Sequence, residues 1–253
     1  MPADFAARGA AAAACLLAGL LVGCSAGDAS RPEALAAGDA QPATASAGAP
    51  ARAGEVLLDL RAPAAAFETT AEETRRVVAA VYGEGAPGDL ELTSRADGAF
   101  TAPDARQTAY TLRRGGAVPG PDRARTLLAV LEDDDRVAAQ FVVDHDRIAA
   151  AADVEGDGIE ELFLASHGYQ MGQAYVGLEL VSLAGGQRRT RAEYPQAWLD
   201  ACGNPAGERH VEAAVIVRGA PQPELRRFRA DCTGDRPPAI DDYRPAPPPD
   251  EPA

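Results

Sequence analysis

The chain has 253 residues, 38 acidic and 24 basic side chains, and a formal net charge of −14. That balance excludes binding to a phosphate backbone and polybasic attraction to anionic lipid, so no nucleic acid is expected among its partners. Its length leaves room for one domain with its own core.

Residues 1–9 carry one acid, Asp4, and one base, Arg8, and an apolar run of 13 residues follows at 10–22. A bilayer-spanning helix needs roughly 20 apolar residues, and a shorter run suits the central region of a secretory signal. The run ends at Leu21-Val22-Gly23-Cys24. This tetrapeptide resembles the lipobox of bacterial lipoproteins. The resemblance implies cleavage before Cys24, a diacylglycerol on its sulfur, and often a further acyl chain such as palmitate on the new amino terminus. One chain anchors marginally and two or more anchor stably. The n-region departs from the pattern, with a single Arg where several bases are usual. The competing reading is an ordinary cleaved signal, or an N-terminal anchor, with an incidental Cys. By similarity to Gram-negative lipoproteins, Ser25 after the Cys implies the outer membrane, facing periplasm or surface.

Residues 24–54 are built mainly from Ala, Gly, Ser, Pro, Asp and Thr and hold almost no large apolar side chain. Such a segment cannot form a core and reads as a disordered tether. Residues 236–253 hold Pro237, Pro238, Pro245, Pro247, Pro248, Pro249 and Pro252 and read as a second disordered segment. The expected division is a signal over 1–23, the lipidated Cys and tether over 24–54, a globular domain over 55–235, and the Pro-rich tail. Cys15 leaves with the signal and Cys24 takes the lipid. Cys202 and Cys232 remain, and outside the cytoplasm two such thiols pair. A redox or nucleophilic Cys is the alternative, although no C-x-x-C is present.

Within the domain the expected elements run in chain order. A strand at 56–60 precedes a helix that opens on Thr70-Ala71-Glu72-Glu73, a capping-box pattern, and stops at Gly83. Phe67, Ala71, Val77, Val78, Val81 and Tyr82 give that helix its apolar face. Strands are expected at 90–93, 108–112, 126–131, 137–143, 148–152, 161–165, 174–183, 211–217 and 225–229. The acidic stretch 132–136 is a hairpin turn. Short strands about 10 residues apart predict a mainly β domain, all-β or α+β, with an antiparallel sheet and one amphipathic helix near its start.

One local pattern carries chemistry. Asp153-Val154-Glu155-Gly156-Asp157-Gly158-Ile159-Glu160-Glu161 places acids at positions 1, 3, 5 and 9 and a glycine at 6. Hard cations such as calcium take six to eight oxygens, which alternating carboxylates and a backbone carbonyl supply. An EF-hand needs Glu at position 12, and Leu164 stands there. The pattern resembles instead the calcium loop of FG-GAP, integrin-type propeller repeats. That resemblance implies Asp153, Glu155, Asp157 and Glu161 as side-chain ligands and the Ile159 carbonyl as a fifth, with Glu155 standing where the family has Asp or Asn. It covers about 20 residues, and a single loop in so short a domain does not make a propeller of four or more blades. An Asp/Gly-rich turn without metal is the alternative.

His145, His167 and His210 lack metal-ligand spacing. Ser166-His167 cannot serve as nucleophile and base, since neighbours on a strand face opposite sides. Residues 167–173 link two strands and read first as a plain hairpin connection; the composition, with His167, Tyr169 and Gln170, also suits a recognition loop, the alternative reading. No catalytic motif is legible. The sequence therefore predicts a non-catalytic envelope lipoprotein, anchored through Cys24, with a calcium-stabilised binding or scaffolding domain for an envelope protein or ligand. A membrane-anchored periplasmic hydrolase and an inhibitor or ligand-capture protein are the alternatives.

Overall fold

A computed structural model describes residues 53–62, 66–115, 125–204, 207, 209–233 and 238–246. The chain divides into two units, Met1–Ala43 and Thr44–Ala253, and every described residue lies in the second. The Leu21-Val22-Gly23-Cys24 motif, residues 24–52 of the expected tether and residues 247–253 lie outside the described residues.

The described chain is mainly β. In order it forms β1 (Val56–Asp59), α1 (Ala71–Tyr82), β2 (Leu90–Gly98), β3 (Gln107–Arg114), β4 (Thr126–Glu132), β5 (Val137–Val143) and β6 (Arg147–Ala152). It continues with β7 (Glu161–Gln170), β8 (Gln173–Ser182), β9 (Arg189–Asp200), β10 (His210–Val217), β11 (Glu224–Asp231) and β12 (Arg244–Pro245). All recorded pairings are antiparallel. One sheet has the order β2-β3-β4-β5. The other runs β12-β11-β10-β9-β8-β7-β6, with β1 added to β10, and is not a closed propeller.

The two sheets share β7 as a wall. Leu162 and Leu164 face one way, into a core with Phe100, Leu128, Val130, Val181 and Leu183. Phe163 and Ala165 face the other way, toward Val176, Leu178, Leu180, Ala214 and Ile216 on the inside of the larger, curled sheet. Both faces of β7 are buried, so its first half reads as a continuous apolar run. Each such Leu or Phe contributes about 1.5–3 kcal/mol by leaving water. The outer face of the smaller sheet is covered by α1, whose Val77 is fully buried against Leu92, Tyr110, Leu112 and Leu131.

Thr70 caps α1, its Oγ1 accepting from the Glu73 N–H at 3.0 Å, and Gly83 ends the helix at φ 64°. The reciprocal half of the capping box is absent. Glu73 instead turns its carboxylate toward the sheet, accepting from Thr69 Oγ1, Arg95 and the Tyr110 hydroxyl, and thereby ties the helix to β2 and β3.

Three expectations need correction. A twelve-residue strand, β9, lies where none was expected; Pro195 and an Arg-Thr-Arg-Ala-Glu start hid it. Between Leu178↔Tyr194 and Val176↔Trp198 this strand bulges, so that Pro195 needs no ladder donor there. Second, residues 167–173 are not a loop. The ladder continues through His167↔Val176 and Gln170↔Gln173, and the turn is two residues, Met171 and Gly172, with φ of 52° and 79°. Third, part of the Pro-rich tail is packed. Residues 240–242 form one 3-10 turn, β12 pairs with β11, and Tyr243 is 7% exposed against Val211, Ala213 and Ala230. An aromatic ring that covers the outer face of β10 and β11 outweighs the surrounding prolines.

Candidate ligand site at the acidic loop

The loop singled out by its acid spacing joins β6 to β7. The ladder closes at Ala152↔Glu161, leaving eight residues, 153–160, to turn the chain. Asp153 organises them. Its Oδ1 accepts from the Gly156 and Asp157 N–H groups at 2.6 and 3.1 Å, and its Oδ2 from the Gly158 N–H at 2.9 Å. Asp157 Oδ1 accepts from the Ile159 N–H at 3.0 Å. Gly158 sits at φ 83°, a conformation that glycine adopts without strain. Ile159, expected to offer its carbonyl, buries its side chain and pins the end of the loop.

Glu161 begins β7 and is 1% exposed. Its Oε2 accepts from the Val154 N–H at 2.9 Å, and no donor among the described residues meets Oε1. Burial pushes its carboxyl up to about 7; the Val154 N–H opposes this, and the charges of Glu155, Asp157 and Asp153 add to the rise. Glu155 forms an ion pair with Arg191 of β9. A second arginine braces the loop from behind. Arg218 donates from Nη1 to the carbonyls of Asp153 and Val154 and from Nε to Glu55 at 3.0 Å.

The donor set is therefore all hard oxygen, as calcium requires, and three of its acids are already turned in by loop N–H groups. Each carboxylate keeps lone pairs beyond those bonds. Glu161 is buried as a residue, but its Oε1 is not among the buried side-chain atoms left without a partner, so the like charges around it are the observation that fits a cation. As placed, however, Glu155 is committed to Arg191. Among the described residues no group of three His, Cys, Asp or Glu side chains is disposed to hold a metal ion.

Beside the loop lies a cavity of about 470 Å³, walled by Val154, Glu155, Glu161, Leu180, Thr190, Arg191 and residues 219–223. Topology opens it. β10 pairs with β9 only over 211–213 and with β1 over 215–217, so the start of β9 and the turn after β10 part from one another. Those two segments and the acidic loop form the walls. The volume is that of an ordinary small-ligand pocket, and Leu180, Pro221 and Pro223 give it apolar surface beside the charges.

A smaller cavity of about 190 Å³ brings His145, Ser166, Glu179 and Glu193 together. Glu179 is occupied by Arg188 at 2.7 Å and Thr190 Oγ1 at 2.5 Å. His145 Nδ1 stands 3.5 Å from Glu179 Oε2 without a hydrogen bond, and burial lowers its pKa. No recorded hydrogen bond links Ser166 to His145, so the cavity presents no assembled nucleophile and base among the described residues.

Of the residues suggested for recognition, His167 Nδ1 is held by Asp146 at 2.8 Å, while Tyr169 is 73% exposed near the hairpin tip and Gln170 adjoins the turn. These side chains lie on strand backbone and line neither cavity. Cys202 and Cys232 form a disulfide with their Cα atoms 5.7 Å apart, joining the chain just after β9 to the chain just after β11. Trp198 and Cys202 both pack against the cluster that holds Tyr243.

Arg191 and Arg218 were not legible as parts of the site. They lie 36 and 65 residues from their loop partners, and only the pairing of β9 and β10 into the curled sheet brings them there. The alternation of Arg189, Arg191 and Glu193 was the available signal of a strand edge. Comparison with protein families, curated proteins and solved structures returns no match to this chain.

Proposed function

We propose that this chain is a lipid-anchored protein of the bacterial cell envelope whose β-rich domain is a binding module, with calcium held by the 153–161 loop and a ligand taken in the cavity beside it. The carrying observation is shared walls: Val154, Glu155 and Glu161 belong both to the acidic loop and to the cavity of about 470 Å³. A cation at the loop offsets the buried Glu161 carboxylate and shapes one side of that cavity. The Cys24 motif and its Ser25 neighbour support anchoring, with the outer membrane as the address in a Gram-negative cell. The Cys202–Cys232 bridge suits an oxidising compartment.

Two measurements test this reading. Calorimetric titration of the full chain with calcium is expected to show one site, weakened by Asp153→Asn. Detergent partitioning is expected to place the wild type in the detergent phase and Cys24→Ser in the aqueous phase. Absence of calcium heat removes the metal, and aqueous partitioning of the wild type removes the anchor.

A further inference from the structure

We propose that the β7–β8 hairpin tip is a second membrane contact, which lays an uncharged end of the domain on a zwitterionic lipid surface. The proposal rests on the lipid-anchored reading above, whose anchor makes a weak contact sufficient. Local charge is the first observation. The chain is 25% charged residues with a net charge of −14, yet 168–178 holds no acid and no base, and neither does 201–207. The fold brings these two segments together at one end. Gly172 of the turn lies against the 203 segment, where a Cβ on it would stand 2.2 Å from the Gly203 carbonyl oxygen. The Cys202–Cys232 bridge ties that segment down. Two flanking charges are engaged with backbone: Asp200 Oδ1 accepts from the Cys202 N–H, and Arg209 Nε donates to the Cys202 carbonyl, both at 2.8 Å.

On this uncharged end two large side chains stand in solvent. Met171 is 82% exposed, and Tyr169 is the more exposed of the two exposed tyrosines among the described residues. Met171 also holds φ 52°, a left-handed conformation that a residue other than glycine adopts at a cost, and its side chain joins none of the core clusters. Charge selects the surface that they meet. A domain of net charge −14 is repelled by anionic lipid, whereas an uncharged tip with a tyrosine and a methionine suits the boundary between headgroup and acyl chain of a neutral bilayer. Two side chains bind weakly alone, and a lipid at Cys24 supplies the effective concentration that makes them sufficient. The anchor also reaches. Ala174 and Val211 both pair with Asp200, which sets the start of β10 at the tip end, and the far end of β10 pairs with Val56, where the chain enters from Cys24. The eight residues of β10 cover about 25 Å. A flexible chain of the length of 24–54 spans roughly 30 Å, so the tip meets the bilayer that holds the lipid.

Met171 is the only methionine beyond Met1, so its oxidation to the sulfoxide by hydrogen peroxide, read in the mass of the intact chain, reports cover at the tip. The test compares the full lipidated chain on vesicles of saturated phosphatidylcholine with the mature Cys24→Ser chain in buffer, and flotation of the vesicles reads the anchor separately. Met171 is expected to oxidise severalfold more slowly on vesicles. Tyr169→Asp, which puts a charge on an exposed position, is expected to float equally and to oxidise at the buffer rate. Flotation with a wild-type rate equal to that in buffer, or with equal protection in Tyr169→Asp, overturns the tip contact and leaves the anchor standing. Protection at high lipid without flotation keeps the tip and removes the anchor, and absence of both removes both. Slow oxidation of Cys24→Ser in buffer that quickens on dilution would assign the tip to a second copy of the chain and overturn the membrane contact.

Discussion

Arg191 on β9 and Glu155 in the β6–β7 loop form an ion pair across 36 residues of sequence, with their side chains 37% and 44% exposed. A pair so accessible to water contributes about 0–1 kcal/mol to stability. Its place at the rim of the cavity therefore matters more than its strength. It is a contact open to water, in contrast to the Arg188–Glu179 pair, whose carboxylate is buried.

Glu161 makes one contribution to the pH dependence of stability, opposed at about pH 6 by His145, whose pKa burial lowers. Its carboxyl sits at about 7 in the fold against an ordinary 4.5, so the fold holds that proton more tightly than the unfolded chain does. The corresponding stability is fully present below about pH 4.5 and is lost as pH rises through about 7. In chelator, urea unfolding is expected to show stability falling between pH 5 and 8 by an amount on the order of 3 kcal/mol at most. Glu161→Gln is expected to flatten that interval. Wild-type and Glu161→Gln profiles that run parallel would contradict an uncompensated buried carboxylate.

The disulfide closes a loop with a sequence separation of 30 across β10. Replacing both Cys202 and Cys232 by Ala is expected to cost about 3 kcal/mol through the loosened unfolded chain. Equilibrium urea unfolding at constant pH measures it, and dithiothreitol added to the wild type should reproduce the same loss. A double variant as stable as the wild type would assign the bridge no part in stability.

Gly172 in the β7–β8 turn has φ 79°, and a Cβ built there would lie 2.2 Å from the Gly203 carbonyl oxygen. Gly172→Ala combines a left-handed backbone with a clash against backbone, and a loss of about 1–3 kcal/mol is expected. Thermal unfolding reports it; an unchanged midpoint would mean that the turn and the 203 segment are not packed together.

Tyr243 tests whether the end of the chain belongs to the domain. Tyr243→Ala is expected to cost about 1.5–3 kcal/mol by uncovering Val211, Ala213 and Ala230. A tail that hung free would leave the denaturation midpoint where it was.

The legible parts of the fold were those with local causes. β5 matches residue for residue at 137–143, because an apolar run is fenced by an acidic turn on one side and Asp144 on the other. The start of α1 is fixed by Thr70, a contact three residues long. What escaped was decided at a distance. β9 is rich in Arg and interrupted by Pro195, and it is a strand because β8 offers a ladder and a bulge absorbs the proline. Gly168 and the polar residues around it suggested a loop, yet Tyr175 covers that glycine from the opposite strand, and the pairing runs on to the turn. In the candidate site, spacing named the acids. It said nothing of Arg191 and Arg218, whose approach depends on sheet curl and not on local sequence.

The most direct measurement is the melting temperature of the full chain in excess calcium and in chelator at pH 7.5, with bound metal quantified by elemental analysis. Calcium at 100 times its dissociation constant stabilises by about 2.7 kcal/mol. In a domain of this size that corresponds to a rise of about 5–10 °C, lost in Asp153→Asn. An identical melting temperature in both buffers, with no calcium retained, would contradict a calcium-stapled binding module.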